Sequence, residues 1–246
     1  MKTFNLKKEI RTSKKNKRTT LELKKYFFTL TSSLLSNHYG ENYSDRCLQA
    51  SLGIKYLLSC AGIESFLVQG ALCIPVIRKE HFEFGWQGFW DQDHHFWLIT
   101  EFGEHIDLTI HQANIHPAFT GSKQHTPTPI WWNNFSNMPS VLKYLNLTIY
   151  PAKQSVELQE KEENEALQSF LANIKSKNTK FQREYTQSSF EKILSTSEDM
   201  ILWENQKDPW LMGLRIYNDN PIEFPNWIVE KEAELQVKFG KTPFIP

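Results

Sequence analysis

The chain has few of the residues that mark the more unusual classes of protein. Of its 246 residues, three are cysteine, ten are glycine and eleven are proline. Three cysteines are too few for a disulfide-stapled miniprotein and fit a reducing compartment, and the composition excludes a collagen-like fibre or a disordered chain. The chain also lacks an apolar run of the roughly 20 residues that a bilayer span requires. We therefore expect a globular protein of the cytoplasm with no membrane span.

Net charge is absent as well, but the balance of charges hides an uneven distribution. The chain has 28 basic and 28 acidic residues, and residues 1–25 hold ten of the basic ones with only two of the acidic. This front end lacks the apolar segment of a secretory signal. We interpret residues 1–18 as a solvated basic tail. The alternative is a patch for anionic partners such as nucleic acid, lipid head groups or an acidic protein surface. We favour the tail over a nucleic-acid site, because no aromatic side chains interleave with the lysines as stacking platforms.

Hydrophobic periodicity predicts an α+β core over residues 19–150. Helical spacing predicts helices at residues 19–36 and 46–60, the second with Ser44 or Asp45 as its N-cap. Apolar or alternating runs predict strands at residues 65–74, 81–90, 95–100, 105–109 and 147–150. The strands at 95–100 and 105–109 are expected to form an antiparallel hairpin. We predict an irregular loop over residues 114–137 and a short helix over residues 139–145.

The character of the sequence changes after Pro151. Helical patterns predict three helices, at residues 156–174, 181–194 and 228–239. No Gly/Ser-rich linker separates this region from the preceding one. We therefore divide the chain into the tail at 1–18, a core at 19–150 in which N-terminal helices pack on an antiparallel sheet, and a mainly helical extension at 151–246 that packs on the core.

Three residues with chemically useful side chains lie at the ends of predicted elements. Cys47 is at the start of a helix, His95 is at the start of a strand, and Asp107 lies on the other arm of the same hairpin. A helix N-terminus stabilises a thiolate, and an imidazole oriented by a carboxylate completes the activation. Adjacent strands lie about 4.8 Å apart, within reach of a His–Asp hydrogen bond. We predict Cys47 as nucleophile, His95 as general base and acid, and Asp107 as the orienting carboxylate.

Motifs around these residues carry a resemblance to a known family. The first motif is Arg46-Cys47-Leu48-Gln49-Ala50, with Gly62-Ile63 beginning fifteen residues after the cysteine and leading into a strand that reaches Gly70. The second is His95-Phe96-Trp97, followed by Asp107-Leu108-Thr109. In this order the two motifs resemble the transglutaminase-like superfamily of cysteine enzymes, over about residues 42–109.

The resemblance implies a papain-like fold and acyl-transfer chemistry. It implies a cysteine helix packed on an antiparallel sheet that carries the His and Asp, and reaction at an amide or peptide bond through a thioester, with a peptide or protein substrate and no cofactor. The backbone amide of Cys47 would be one donor to the oxyanion, with Tyr43, Asn42 and Tyr39 as candidates for the second. No feature indicates a site for a second substrate, so we expect hydrolysis rather than transglutamination.

A dense group of histidines supports an alternative, a metal site. Seven of the eight histidines fall within residues 81–125, and Asp91 and Asp93 precede the pair His94-His95. Zinc takes such ligands, and the histidines that would surround them are His81, His105, His111 and His116. No His-x-x-x-His or Cys-x-x-Cys spacing accompanies them, so we expect no metal. Alternation along the strand places His94 on the opposite face from His95.

A second alternative is a binding or scaffold protein that keeps the fold but has a covered or inactive site. The cover would come from the loop 114–137 or from residues 151–246. Trp131 and Trp132 within that loop are expected either to line the cleft or to cover the core. Cys60 and Cys73 lack the context of Cys47, and we interpret both as core residues.

Overall fold

The chain forms an α+β structure in which helices pack on a curled antiparallel sheet. A computed structural model describes residues 4–78, 83–89, 95–119, 130–133, 142–150, 161–184, 224 and 226–239. The helices in these ranges are α1 (Leu6–Asn16), α2 (Leu21–Tyr39), α3 (Cys47–Cys60), α4 (Lys161–Glu184) and α5 (Asn226–Phe239), with a 3₁₀ helix at Ile110–Ile115. The strands are β1 (Ser65–Arg78), β2 (Glu83–Phe89), β3 (His95–Thr100), β4 (His105–Ile106), β5 (Trp131–Trp132) and β6 (Lys143–Tyr150).

The long strand β1 is the centre of the sheet. It pairs antiparallel with β2, β3 and β6, while β4 joins β3 to β5. The register places Gly70 of β1 directly opposite His95 of β3. A Cβ at Gly70 would clash with the carbonyl oxygen of Leu145 and with the Trp97 ring. Glycine at this position therefore lets β6 and the large Trp97 side chain approach the strand beside His95.

Helix α3 lies between the sheet and the other helices. It packs against β1 and β3 on one side and against α2 and α4 on the other. At Gly53 a Cβ would lie 2.7 Å from Ile174 of α4 and 3.0 Å from Thr31 of α2, so the glycine permits a close three-helix contact. Burial on nearly all sides fixes the axis of α3, and with it the position of Cys47 at its first residue.

The prediction of a basic tail is corrected over residues 6–16, which form helix α1. The Asn5 side chain caps its first turn by accepting the Lys8 amide at 3.0 Å. The apolar residues Leu6 and Ile10 are spaced one turn apart and pack on the core, and the Phe4 ring stacks on Tyr26 of α2 at 5.1 Å. The cations lie on the exposed side of a helix whose other side is anchored.

Most of the N-terminal predictions are confirmed. Helix α2 begins after Thr20, whose hydroxyl accepts the Leu23 amide, and the hairpin at 95–106 forms with Leu98 opposite Ile106. The strand predicted at 105–109 is shorter than expected, since it ends at Ile106 and Asp107 directly follows it. The N-cap of α3 is Arg46 rather than Ser44 or Asp45, and no side chain caps this helix.

Between residues 114 and 150 the structure corrects the irregular loop at residues 131–132 and the short helix at residues 143–145. Trp131 and Trp132 form strand β5, which pairs with β4, and both side chains are buried, so of the two alternatives for them, covering the core is the one observed. Residues 143–145, assigned to a short helix, belong to strand β6. Their pairing with β1 decides the conformation, because sheet contacts outweigh the local preference. Residue 142 is a bend, and residues 139–141 lie outside the described residues.

The C-terminal helices pack on the core as expected. Helix α4 runs longer than predicted, and Leu167, Phe170 and Ile174 are its buried face. Helix α5 places Leu235 against Ala71 of β1 and neighbouring β6 residues, and Glu232 forms an ion pair with Lys143. The helix predicted at 181–194 overlaps the end of α4 and otherwise lies outside the described residues. Among the helices described, none has the length and apolar character needed to cross a membrane.

Candidate active site

Cys47 is the first residue of α3 and is partly exposed. The chain reaches it through a turn in which the Arg46 amide donates to the Tyr43 carbonyl at 3.0 Å. The N-cap residue Arg46 makes no side-chain capping hydrogen bond, so among the described residues no capping oxygen occupies the first amides of the helix. Unpaired amides and the positive end of the helix dipole favour an anion at this position, whether a thiolate or the oxyanion of a reacting carbonyl.

The structure brings His95 and Asp107 together. The His95 Nε2 atom lies 2.6 Å from Asp107 Oδ2, with 11 % of the His95 side chain exposed and only 1 % of the Asp107 side chain. The Cys47 side chain is a close neighbour of the same imidazole, since it helps to raise the pKa of the ring. His95 thus has a partly exposed cysteine and a buried carboxylate as neighbours, the residues that the sequence predicted from the two motifs.

Both carboxylate oxygens of Asp107 accept hydrogen bonds. Its Oδ1 accepts from the Thr109 amide, the Thr109 hydroxyl and the Ile110 amide, each at 3.2 Å. Its Oδ2 accepts the hydroxyl of Tyr144 at 2.8 Å in addition to the His95 ring. So many donors keep a buried carboxylate ionised and fix its orientation.

Tyr144 is a member of this site that sequence reasoning missed. It comes from β6, and its buried ring stands edge-on to Trp97 at 5.0 Å and to His105 at 4.4 Å. Residues 143–145 were assigned to a helix, and no motif connects them with the hairpin. The curl of the sheet brings the tyrosine hydroxyl to Asp107, a relation that only the three-dimensional pairing reveals.

The electrostatics of the site favour a charged imidazole. Burial would lower the pKa of His95, but the negative charges of Asp107 and Cys47, together with hydrogen bonds to both, raise it to about 10. Burial would raise the pKa of Asp107, but the charge and hydrogen bond of His95 and the hydroxyl of Tyr144 hold it below its ordinary value. At neutral pH the site therefore contains an imidazolium next to a carboxylate.

A second buried histidine lies beside the first but behaves oppositely. Burial lowers the pKa of His105 to about 3, against the weaker raising effect of Asp107, and the charge of His95 adds to the lowering. His105 is thus neutral where His95 is charged. The His95 ring hydrogen-bonds with Asp107, whereas no hydrogen bond to Asp107 contributes to the pKa of His105, so the two rings differ because of their partners rather than their depth.

The oxyanion candidates upstream of Cys47 are engaged elsewhere. The Tyr43 amide donates to Gln112 Oε1 at 3.0 Å, and its hydroxyl contacts Ser32 Oγ at 2.6 Å. The Asn42 side chain donates to the Ile115 carbonyl at 3.3 Å and accepts from Ser44. The Tyr39 ring lies beneath the Arg46 guanidinium at 5.1 Å. Of the candidates, the Cys47 amide alone lies at the start of the helix beside the thiol.

The remaining cysteines lie away from the site. Cys73 is buried in β1, and burial raises the pKa of its thiol to about 12. Cys60 is exposed, which corrects its interpretation as a core residue. It is the last residue of α3, where the helix emerges from beneath its neighbours. The two thiols therefore differ from Cys47 in opposite ways.

The histidine-rich segment gives no metal cluster where it is described. Within the described ranges, no three His, Cys, Asp or Glu side chains converge as metal ligands would. Asp91, Asp93, His81 and His94 lie outside those ranges. His111 is directed away from a ligand cluster, since its Nδ1–H donates to the Leu108 carbonyl at 2.5 Å.

Comparison of the chain with family models, with curated proteins and with solved structures finds no match.

Proposed function

We propose that this protein is a transglutaminase-like cysteine enzyme that hydrolyses an amide or peptide bond through a thioester. The observation that carries the proposal is the contact of His95 Nε2 with the buried Asp107 Oδ2 at 2.6 Å, next to Cys47 at the first residue of α3. A carboxylate, an imidazole and a thiol in series at a helix N-terminus are the parts that nucleophilic thiol catalysis needs. The order of these residues along the chain and the motifs around them support the assignment to that superfamily.

Each group has a role in the proposed reaction. The Cys47 thiolate attacks the substrate carbonyl carbon, and the resulting oxyanion accepts a hydrogen bond from the backbone amide of Cys47. The His95 imidazolium protonates the leaving nitrogen as the C–N bond breaks, which leaves a thioester and a neutral ring. That ring then takes a proton from water as the water attacks the thioester, and the thiolate leaves with the acid product released. Asp107 stays ionised and orients the ring throughout.

Selective alkylation of the three cysteines tests the proposal. Iodoacetamide is applied at pH 6, and the modified residues are identified by peptide mapping. Cys60 is an exposed reference thiol and Cys73 a buried one, so both controls are within the same chain. We expect Cys47 to react roughly 10-fold or more faster than Cys60, because only the thiolate is nucleophilic and a neighbouring imidazolium stabilises it.

A second measurement tests the covalent intermediate. p-Nitrophenyl acetate should transfer one acetyl group to the protein in a burst, detected by intact mass and by nitrophenol release. Cys47→Ala should abolish the adduct, while Cys60→Ala should keep it. Reaction of Cys47 no faster than Cys60, or an acetyl adduct that survives Cys47→Ala, would overturn the proposal and favour a scaffold protein that retains the fold without the activity.

A further inference from the structure

We infer that Gln112 is a positioning residue that holds the backbone before Cys47 in register with Asp107. This inference rests on the proposed function and concerns the same site. Gln112 lies on the 3₁₀ helix Ile110–Ile115, which follows directly after Asp107-Leu108-Thr109. It is remote from Cys47 in sequence and does not contact the thiol in the interactions described above, so its effect passes through the chain it holds.

The glutamine side chain clamps the segment 41–43 at two points. Its Oε1 accepts the amide of Tyr43 at 3.0 Å, and its Nε2 donates to the carbonyl of Glu41 at 3.0 Å. One planar amide thus satisfies a donor and an acceptor two residues apart, as a neighbouring strand would. Four residues after Tyr43 the chain reaches Cys47, through the turn that Tyr43 closes with Arg46.

The opposite end of the 3₁₀ helix is attached to the carboxylate. Asp107 Oδ1 accepts the amides of Thr109 and Ile110 at 3.2 Å, so the first turn of this helix is built on the Asp107 side chain. The helix is therefore anchored to Asp107 at its start and to the nucleophile's loop from its middle. It connects two members of the site that are sixty residues apart in sequence.

Three further contacts make this connection rigid. His111 donates to the Leu108 carbonyl and lies 3.4 Å from the Tyr43 hydroxyl through its other ring nitrogen. Asn42 donates to the Ile115 carbonyl at 3.3 Å. Gln112 is the one among them that holds the backbone of residues 41–43 by two hydrogen bonds. Displacement of a reacting group by about 1 Å costs roughly 10²-fold in rate, so a rigid link between Asp107 and Cys47 has a chemical consequence.

Two substitutions separate positioning from a general loss of structure. Gln112→Ala removes both hydrogen bonds. Gln112→Glu keeps the acceptor for Tyr43, but its ionised form places a second oxygen against the Glu41 carbonyl, whereas its protonated form offers a donor and an acceptor as glutamine does. Gln168→Ala, a glutamine on the exposed side of α4, is the matched control. The rate of Cys47 alkylation by iodoacetamide is measured from pH 4 to pH 8 for each variant.

We expect Gln112→Ala to slow Cys47 alkylation about 10-fold at all these pH values. Gln112→Glu should be as slow at pH 8 and should recover toward the parent rate as the pH falls to 4, below the ordinary glutamate pKa of about 4.3, because protonation restores the second hydrogen bond. Gln168→Ala should match the parent. Cys73 serves as the folding reporter, since its labelling marks unfolded chains. If Gln112→Ala does not fold, the pH-dependent recovery of Gln112→Glu still decides.

The result that overturns the inference is distinct from the one that overturns the proposed function. If the parent Cys47 outruns Cys60 and both Gln112 variants match the parent across the pH range, Gln112 has no positioning role. A slow rate in Gln112→Glu that does not recover at pH 4 also contradicts it. If the parent Cys47 is itself no faster than Cys60, the proposed function fails before Gln112 is tested.

Discussion

Strand β4 has a buried carboxylate on each side of its two residues, and the two carboxylates belong to different ion pairs. Glu104, before the strand, lies 3.4 Å from Lys24, and both side chains are 1 % exposed. Asp107, after the strand, lies 2.6 Å from His95, which keeps 11 % of its side chain exposed. The two pairs are thus built on one short stretch of backbone, and they differ in what surrounds the cation.

The Lys24–Glu104 pair is surrounded by residues that hydrogen-bond to it or pack against it. Glu104 accepts the amide and the hydroxyl of Thr19 at 3.1 and 2.5 Å, and Lys24 donates to Asn133 and lies 5.4 Å above the Trp131 ring. These contacts join the start of α2 to the sheet. The His95–Asp107 pair instead borders a partly exposed thiol. A buried ion pair is therefore weak evidence of function, and the neighbouring nucleophile distinguishes the two.

The largest expected difference between the pairs is in reactivity. His95→Gln should slow alkylation of Cys47 by roughly 10²–10⁴-fold at pH 6, because the thiolate loses its cationic partner. Lys24→Met should leave the rate in the folded protein unchanged. Peptide mapping after timed iodoacetamide exposure measures both. Equal slowing in the two variants would mean that reactivity depends on general stability rather than on the imidazole.

Stability should show the reverse order. Lys24→Met leaves Glu104 buried without its cation, and we expect a loss of about 3–5 kcal/mol in the free energy of unfolding. Lys15→Met, an exposed lysine of α1, is the matched control and should change it by less than about 0.5 kcal/mol. Urea unfolding followed by circular dichroism gives both values. A loss below 1 kcal/mol for Lys24→Met would show that water or a shift of α2 compensates Glu104.

Tyr144 allows a finer test of the carboxylate. Tyr144→Phe removes one hydrogen bond from Asp107, and we expect a loss of about 1–3 kcal/mol in stability with slower alkylation of Cys47. Tyr150→Phe is the control on the same strand, since its hydroxyl donates to Gln69 at 2.9 Å, away from the site. It should cost stability without changing the alkylation rate. Identical alkylation rates in the two variants would remove Tyr144 from the site.

The change of the free energy of unfolding with pH, taken per pH unit, is the smallest of the expected effects. The pKa of His95 is raised from 6.5 to about 10 in the folded protein, so its charge contributes stability that is complete below pH 6.5 and is lost between about 6.5 and 10. One proton changes the free energy of unfolding by at most about 1.4 kcal/mol per pH unit. Urea unfolding at pH 6 to 10 should show this decline, and His95→Gln should remove it while Lys24→Met keeps it.

The sequence predicted the parts of the site that local pattern determines. A helix starting at Cys47 and a hairpin bearing His95 and Asp107 both follow from apolar periodicity and a turn around Gly103, and local structure was enough to bring the imidazole to the carboxylate. The residues that contact the site from other elements were not predictable in this way. Tyr144 and Gln112 reach it from other elements, through the curl of the sheet and the path of the 3₁₀ helix.

The errors in the fold have the same physical origin. The prediction of a helix at residues 139–145 relied on local spacing. In the structure, residues 143–145 belong to β6 because they pair with β1, where Leu72 lies opposite Tyr144. The many basic residues at 1–18 led to the prediction of a tail, although Leu6 and Ile10 lie one helical turn apart and anchor α1 by packing on the core. Trp131 and Trp132 lie among polar residues and prolines, and only their pairing with β4 explains their burial. Contacts distant in sequence decided each case.

The charge of the His95 ring is the most direct test of the central claim, that Cys47, His95 and Asp107 act as one unit. An NMR titration of the ¹⁵N-labelled imidazole measures its pKa in the parent protein and in Cys47→Ala. A value of about 10 is expected in the parent. Cys47→Ala should lower it, because one of the two negative charges that raise it is removed. A parent value near 6.5, or one that Cys47→Ala leaves unchanged, would contradict the account.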